Sequence, residues 1–229
     1  MLNTDSIEKP LFTVDSVLFT VHEDALKVLM VKRAEAPFIG EWALPGGFID
    51  IAQDRDTDAT ARRKLMAKTG FSPNYLEQLQ VFSGQTRDPR SYSVTLAYFA
   101  LVAHQAVASQ IASVETACWL EVADLDSLNI AFDHKDIIEL ARQRLKQKTL
   151  YSLLPVYCLP ASFTIAQLMT VIEQILEKPL QRKSLMRRIE ASEMFEVSAE
   201  KISSGGRFAQ VYRLKPGANI VNFERNLSV

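Results

Sequence analysis

Two adjacent glycines, Gly46 and Gly47, constrain this chain more than any other feature of its 229 residues. Lacking Cβ atoms, they permit a tight loop in which backbone approaches its neighbours closely. They follow Leu44-Pro45 and precede Phe48 and an acidic stretch, which leads into residues 59–69, a segment of helical composition. Gly70 closes that segment as a natural C-cap. A glycine loop feeding a capped helix is therefore fixed near the start of the chain, and other elements must be arranged around it.

Strands supply the surroundings. Residues 14–20 (VDSVLFT) and 27–31 (KVLMV) are β-rich runs joined by the polar turn His22-Glu23-Asp24, a hairpin pattern. Further strands are predicted at residues 79–83, 94–102 and 117–120, and Asp133 is placed to cap a helix over residues 135–147. Residues 1–148 read as a mixed α/β domain. Residues 149–160 (TLYSLLPVYCLP) carry two prolines and no clear period, which suits a packed connector better than a flexible linker.

The remainder, residues 149–229, has another character. Thr164 caps a predicted helix running to Leu176, with Ile165, Leu168, Ile172, Ile175 and Leu176 on one stripe, and Pro179 stops it. A second helix over residues 181–191 carries Leu185 and Ile189 inward, and Lys183, Arg187 and Arg188 project elsewhere. Alternating runs at 195–202 and 207–214 flank the turn Ser203-Ser204-Gly205-Gly206. Helix, turn, basic helix and hairpin is the order of a winged helix-turn-helix.

Charge supports the division. The formal net charge is -1, yet residues 178–215 hold nine Lys or Arg against four Glu, a local +5. A basic block beside an acidic remainder is the footprint of a nucleic-acid-binding module joined to something else, although a solvated helix face gives the same count. No apolar run reaches membrane-spanning length, and residues 1–10 are polar and acidic, so neither insertion nor secretion is expected. Cys118 and Cys158 form no CxxC pair and sit in apolar contexts, which reads as reduced core cysteines in a cytoplasmic protein. Trp42 and Trp119 read as core aromatics.

Residues 46–71, GGFIDIAQDRDTDATARRKLMAKTGF, resemble the Nudix box, GX5EX7REUXEEXGU with U aliphatic. Arg63, Leu65, Gly70 and Phe71 match, whereas Lys64, Ala67 and Lys68 replace the three helix glutamates. Two extra residues separate Gly47 from Arg63, and Gln53 takes the place of the early glutamate. In Nudix hydrolases those glutamates present carboxylates to magnesium ions that activate water against a diphosphate, and lysines cannot ligate magnesium. Lys64 and Lys68 instead offer positive charge to a diphosphate, or are simply solvated on a surface helix.

With TRDPR at residues 86–90 and AFDH at 131–134, the chain is similar to the NrtR-type Nudix-related transcriptional regulators from about Leu11 to Leu214. That resemblance implies a Nudix-like α/β/α sandwich that senses a ligand, followed by a winged helix that binds DNA. It further implies control of genes of NAD metabolism, with ADP-ribose or a related nucleotide as effector and no other cofactor.

Candidate binders follow from position. Arg33 ends the second strand, Phe48 follows the glycine pair, and Arg87 and Arg90 flank a proline-stiffened turn. Arginine forks match diphosphate oxygens and an aromatic ring stacks on adenine, so these four residues and Lys64 form the candidate ligand set. For Arg33 and Arg90 a surface salt bridge is an equal reading. Arg63 is assigned to brace the loop through its carbonyls, as the resemblance implies. On the basic helix, Arg182, Lys183, Ser184, Arg187 and Arg188 are assigned to phosphates and base edges of double-stranded DNA, with Arg187 or Arg188 on a base. At the wing, Ser204, Gly205 and Arg207 complete the set. One recognition helix contacts few base pairs, so a homodimer on a pseudo-palindrome is expected. Two alternatives stay open: a hydrolase whose metal ligands come from Asp50, Asp54, Asp56 and Asp58, and a C-terminal module that binds a protein partner.

Overall fold

The computed structural model describes residues 9–113, 116–204, 207–224 and 226–227. Its central strand is β1 (Leu11–His22), buried on both faces from Val14 to Thr20, which accounts for the apolar text of that run. Strand β2 (Ala25–Lys32) pairs antiparallel with β1 through a two-residue turn, Glu23-Asp24, both left-handed at φ 53° and 55°. Short strands β3 (Trp42–Ala43) and β4 (Gly46–Phe48) pair with β2 and β1. Strands β5 (Tyr75–Gly84) and β6 (Ser93–Leu101) extend the sheet on the other side, β6 running parallel to β1. The order is β3-β2-β1-β6-β5, with β7 (Ala117–Glu121) paired to β2.

Helices cover both faces, giving the expected α/β/α sandwich. Because side chains alternate along a strand, Val14 and Leu18 of β1 meet α1 (Thr57–Thr69) at Ala61 and Leu65, while Val17 and Phe19 meet α3 (His134–Tyr151) at Ile137, Ile138, Ala141 and Leu145. Helix α1 is held at both ends: the Asp56 carboxylate accepts from the Ala59 N–H at 2.8 Å, and left-handed Gly70 donates to Met66 O at 2.8 Å. Leu65 is fully buried, so Leu65→Ala removes roughly 2–5 kcal/mol.

Three features differ from the sequence reading. Helix α2 (His104–Ser113) was not foreseen; it lacks a charged residue, and its main signal is Val107 and Ile111, four apart, which pack with Leu18 and Leu65. Asp133 precedes α3 but makes no capping bond, because its carboxylate is held by Arg87. Cys118 is exposed on β7 rather than in the core, whereas Cys158 is buried and its thiol is pushed up to about 12.

Helix α3 runs through the boundary expected at 148, and the two halves share packing there. The connector forms a 3-10 turn, Leu154–Cys158, and serves two cores: Leu154 and Cys158 enter that of the first domain, Leu153 and Val156 that of the second. After β8 (Ser162–Thr164), α4 (Ile165–Leu176) begins with a capping box between Thr164 and Gln167. Its Leu168, Ile172 and Leu176 face the second core, and Val171 and Ile175 face the first. Helix α5 (Arg182–Ser192) follows, then β9 (Phe195–Ser204) and β10 (Arg207–Leu214), in a sheet ordered β8-β10-β9. This is the expected winged helix-turn-helix.

Candidate ligand cleft and nucleic-acid interface

A cleft of about 190 Å³ opens beyond the N-terminus of α3, on the same sheet face. Thr13 and Asp15 of β1, Gly46 to Phe48 of β4, Arg33, the loop Arg87 to Arg90, and Phe132 with His134 line it. Gly46 sets its depth. A Cβ there would lie 2.1 Å from Asp15 Oδ1 and 2.5 Å from Val14 O, so only glycine lets β4 close onto β1.

Two arginine–aromatic pairs flank the opening. The Arg33 guanidinium lies 4.7 Å from the Phe132 ring centre and donates to Pro37 O at 2.6 Å and Glu35 O at 3.2 Å. Arg90 sits 5.6 Å from the Phe48 ring centre and is held to Asp88 by bonds of 3.0 and 2.7 Å. Each pair sets a cation beside a flat apolar surface, with the Nε and Nη2 of both arginines already engaged by protein oxygens.

The floor is a buried polar network. Arg87 donates to both oxygens of Asp133 at 2.9 and 2.8 Å and to Ser93 Oγ at 3.0 Å. His134 Nδ1 accepts the Leu44 N–H at 2.9 Å, and Nε2 lies 3.7 Å from Asp15 Oδ2, which also accepts from Thr95 at 2.8 Å. Burial holds the imidazole below its ordinary pKa, and Asp15 opposes this less strongly. The neutral ring thus carries its proton on Nε2, facing the carboxylate. The cleft thus combines a carboxylate acceptor, Asp15, beside His134 with the cations Arg33 and Arg90.

Of the ligand residues expected from sequence, the fold brings Arg33, Phe48, Arg87 and Arg90 to this cleft. Arg87 is nevertheless committed to Asp133, so it shapes the floor instead of offering a free fork. Lys64 lies elsewhere: it extends from α1, behind β4, and a Cβ on Gly47 would lie 3.0 Å from its Nζ. Burial and neighbouring Arg63 push its pKa down. Arg63 braces the loop through the Asp54 carboxylate and not through carbonyls, with its Nε donating at 2.6 Å, and this pairing holds Asp54 well below the usual carboxylate range. Sequence reasoning left Asp15, Phe132 and His134 out of the ligand set, although the AFDH run at 131–134 holds the last two. A signal was present: Asp15 is the one Asp, Glu, Lys or Arg in a strand rich in Val, Leu and Phe.

The loop acids are engaged in local structure. Asp50 accepts from Ala52 N–H and the Gln53 amide, Asp54 binds Arg63, Asp56 caps α1, and Asp58 pairs with Arg62 at 2.7 Å. Among the described residues no cluster of three or more His, Cys, Asp or Glu is placed to hold a metal ion.

On α5, Arg182, Lys183 and Arg187 are exposed and Ser184 is half-buried, forming a basic face. Arg188 turns inward, a correction to its assignment as a DNA contact: it donates to Leu150 O at 2.8 Å, and its guanidinium covers the Phe223 ring at 4.6 Å. At the wing, Gly205 and the side chains of Ser204 and Arg207 lie outside the described residues.

Residues 12–141 match the NUDIX domain family, and residues 155–214 match the NrtR DNA-binding winged helix domain. The chain is 39% identical over 218 residues, 95% of its own length and 87% of the relative's, to the ADPR responsive transcriptional repressor NtrR of Acinetobacter baylyi. It belongs to the NrtR family. Shewanella oneidensis NrtR, in a crystal structure complexed with a 27mer DNA, superposes with a TM-score of 0.91 at 46% identity, covering 95% of this chain and 100% of that one. The NUDIX domain of the same NrtR, crystallised with ADP ribose, is 47% identical with a TM-score of 0.58, covering 62% of this chain and 93% of the other. The family thus joins, in one chain, a domain solved with a nucleotide and a fold solved on DNA.

Proposed function

We propose that this chain is a transcriptional repressor that reads double-stranded DNA with α5 and the wing, and whose DNA affinity is set by ADP-ribose in the Nudix-domain cleft. Both halves of an NrtR protein are present over 95% of the chain, and this observation carries the reading. Arg182, Lys183, Ser184 and Arg187 face the groove, with Ser204, Gly205 and Arg207 completing the contact at the wing. Arg33 and Arg90 hold the diphosphate, Phe48 and Phe132 offer stacking surfaces, and Asp15 accepts from hydroxyl groups. ADP-ribose is bound and not cleaved, because Lys64, Ala67 and Lys68 stand where metal-binding glutamates would. The protein acts as a homodimer on a pseudo-palindromic operator of NAD-metabolism genes, in the cytoplasm and without other cofactors.

The deciding experiment titrates a duplex from the gene's own upstream region with purified protein, at fixed salt, with and without ADP-ribose and magnesium. Specific binding that ADP-ribose alters while remaining intact supports the reading. Magnesium-dependent release of AMP at an enzymatic rate, without DNA binding, overturns it.

A further inference from the structure

The repressor reading places an effector at one end of the molecule and DNA at the other, and α3 spans the distance. At about 1.5 Å per residue its 18 residues make a rod of roughly 27 Å. Its N-terminus is part of the cleft floor: Asp133, the residue before it, is held by Arg87, and His134, its first residue, faces Asp15. Its C-terminus is part of a second assembly. There, Leu150 O accepts from Arg188 of α5 at 2.8 Å and from the Leu227 N–H at 2.7 Å, while Tyr151 O accepts from the Phe223 N–H at 2.7 Å.

Carbonyls in the last turn of a helix lack intrahelical partners and carry its negative pole, so a guanidinium is well matched to them. Arg188 uses both properties of its side chain: an edge N–H goes to the helix end, and its flat face covers Phe223. Residues 215–227, which supply Phe223 and Leu227, lie beyond the winged-helix match that ends at 214. The tail therefore straps the end of α3 to the DNA-reading helix, with Arg188 at the crossing. Helix α4 is also packed against the first core through Val171 and Ile175, whereas the ion pairs between the halves, Arg142 and Lys146 of α3 with Glu177 after α4, lie on the surface, where solvent and salt screen them.

We infer that Arg188 is a positioning residue that ties α5 to α3, so that a displacement of α3 caused by ligand in the cleft changes the placement of the DNA-reading helix. This rests on the repressor reading. It assigns Arg188 and Arg187, neighbours in sequence, to different tasks: Arg187 contacts DNA, and Arg188 fixes where that contact is made.

The test measures the dissociation constant for an upstream-region duplex with and without saturating ADP-ribose, and takes their ratio for each variant. In Arg188→Met, which keeps the apolar stem and removes the fork, the ratio falls to below about twofold, whereas a functional coupling is typically about 5- to 150-fold. ADP-ribose affinity, measured by calorimetry, stays within about twofold of wild type, since the cleft lies at the far end of α3. Arg188→Lys, which keeps a donor for Leu150 O, recovers part of the ratio. Arg187→Met weakens DNA binding in both states by a similar factor and leaves the ratio intact. Phe223→Leu removes the ring and leaves the tail's backbone bonds; it lowers the ratio partway, so the inference stays open to refutation even where Arg188→Met fails to fold. A wild-type protein indifferent to ADP-ribose would overturn the repressor reading and this inference together. A responsive wild type accompanied by an equally responsive Arg188→Met, or one in which Arg188→Met merely weakens both states equally, overturns this inference alone.

Discussion

Arginines of the first domain and those on the exposed face of α5 are used in opposite ways. Arg63 on α1, and Arg87 and Arg90 at the cleft, are each bound to a carboxylate: Asp54, Asp133 and Asp88. On α5, Arg182, Lys183 and Arg187 are exposed and have no carboxylate within ion-pair distance among the described residues. A guanidinium already paired in a buried site sets the shape of that site, because breaking the pair leaves a charge without solvent or partner. A solvated, unpaired row of cations keeps its field for a polyanion arriving from outside. Arg87, 8% exposed, spends its charge on architecture, whereas the exposed cations of α5 keep theirs available.

The sharpest way to break this contrast is at Arg87. Arg87→Met leaves Asp133 half of a buried pair, and a loss of about 3–5 kcal/mol in unfolding free energy is expected by denaturant titration. A loss below about 1 kcal/mol would mean that Arg87 is a free binding group instead. On α5 the expectation is reversed. Arg187→Ala or Arg182→Ala changes stability by no more than about 0.5 kcal/mol, yet weakens operator binding by roughly 1–3 kcal/mol where the residue reads a base. A phosphate contact instead lowers the salt slope by about one. If these variants unfold the protein while binding stays unchanged, the exposed face is structural and the contrast fails.

Arg188 shows why residue type misled the sequence reading on this helix. It lies three residues after Leu185 and next to Ile189, and three residues along a helix return to the same face. Spacing put it with the apolar stripe; its charge argued otherwise, and the spacing was right. The same conflict ran the other way at Asp133, where a good capping residue was drawn into a tertiary pair with Arg87, 46 positions away. Where local rules had no distant competitor, sequence sufficed: the Thr164 cap, the Gly70 stop and the hairpin turn within His22-Glu23-Asp24 all stand as composition implied. The cleft was half legible. Arg33, Phe48 and Arg90 line one cleft, Arg90 in the salt bridge that was its equal reading, but Asp15 and His134, 119 residues apart, become neighbours only when α3 docks on β1.

Cleft electrostatics add a pH test. His134 is kept below its ordinary value of 6.5 mainly by burial, so the folded state favours the neutral ring. Its contribution to stability is therefore fully present above the unfolded pKa and is lost as pH falls from there through the lower folded value. The unfolding midpoint should fall below pH 6.5 in wild type and less steeply in His134→Asn, which offers the Leu44 N–H a non-titrating acceptor. Equal slopes in the two proteins would place the titrating group elsewhere.

Lys64 carries the smallest expected effect and the most specific lesson. It replaces a box glutamate, and a hydrolytic helix turned into a binding helix would use it against the diphosphate. In this fold the glycine strand lies between them: Lys64 packs against Gly47 from the α1 side, and the cleft opens on the other face. Lys64→Gln should therefore change ADP-ribose affinity by about twofold or less, an effect within about 0.5 kcal/mol, while Arg90→Ala, on the cleft wall, costs roughly tenfold. Calorimetric titration of both variants separates the faces. A tenfold loss in Lys64→Gln would show that the ligand reaches across the glycine strand to α1, as it would in an enzyme that kept its glutamates. The replacement of those glutamates would then have converted the old site instead of abandoning it.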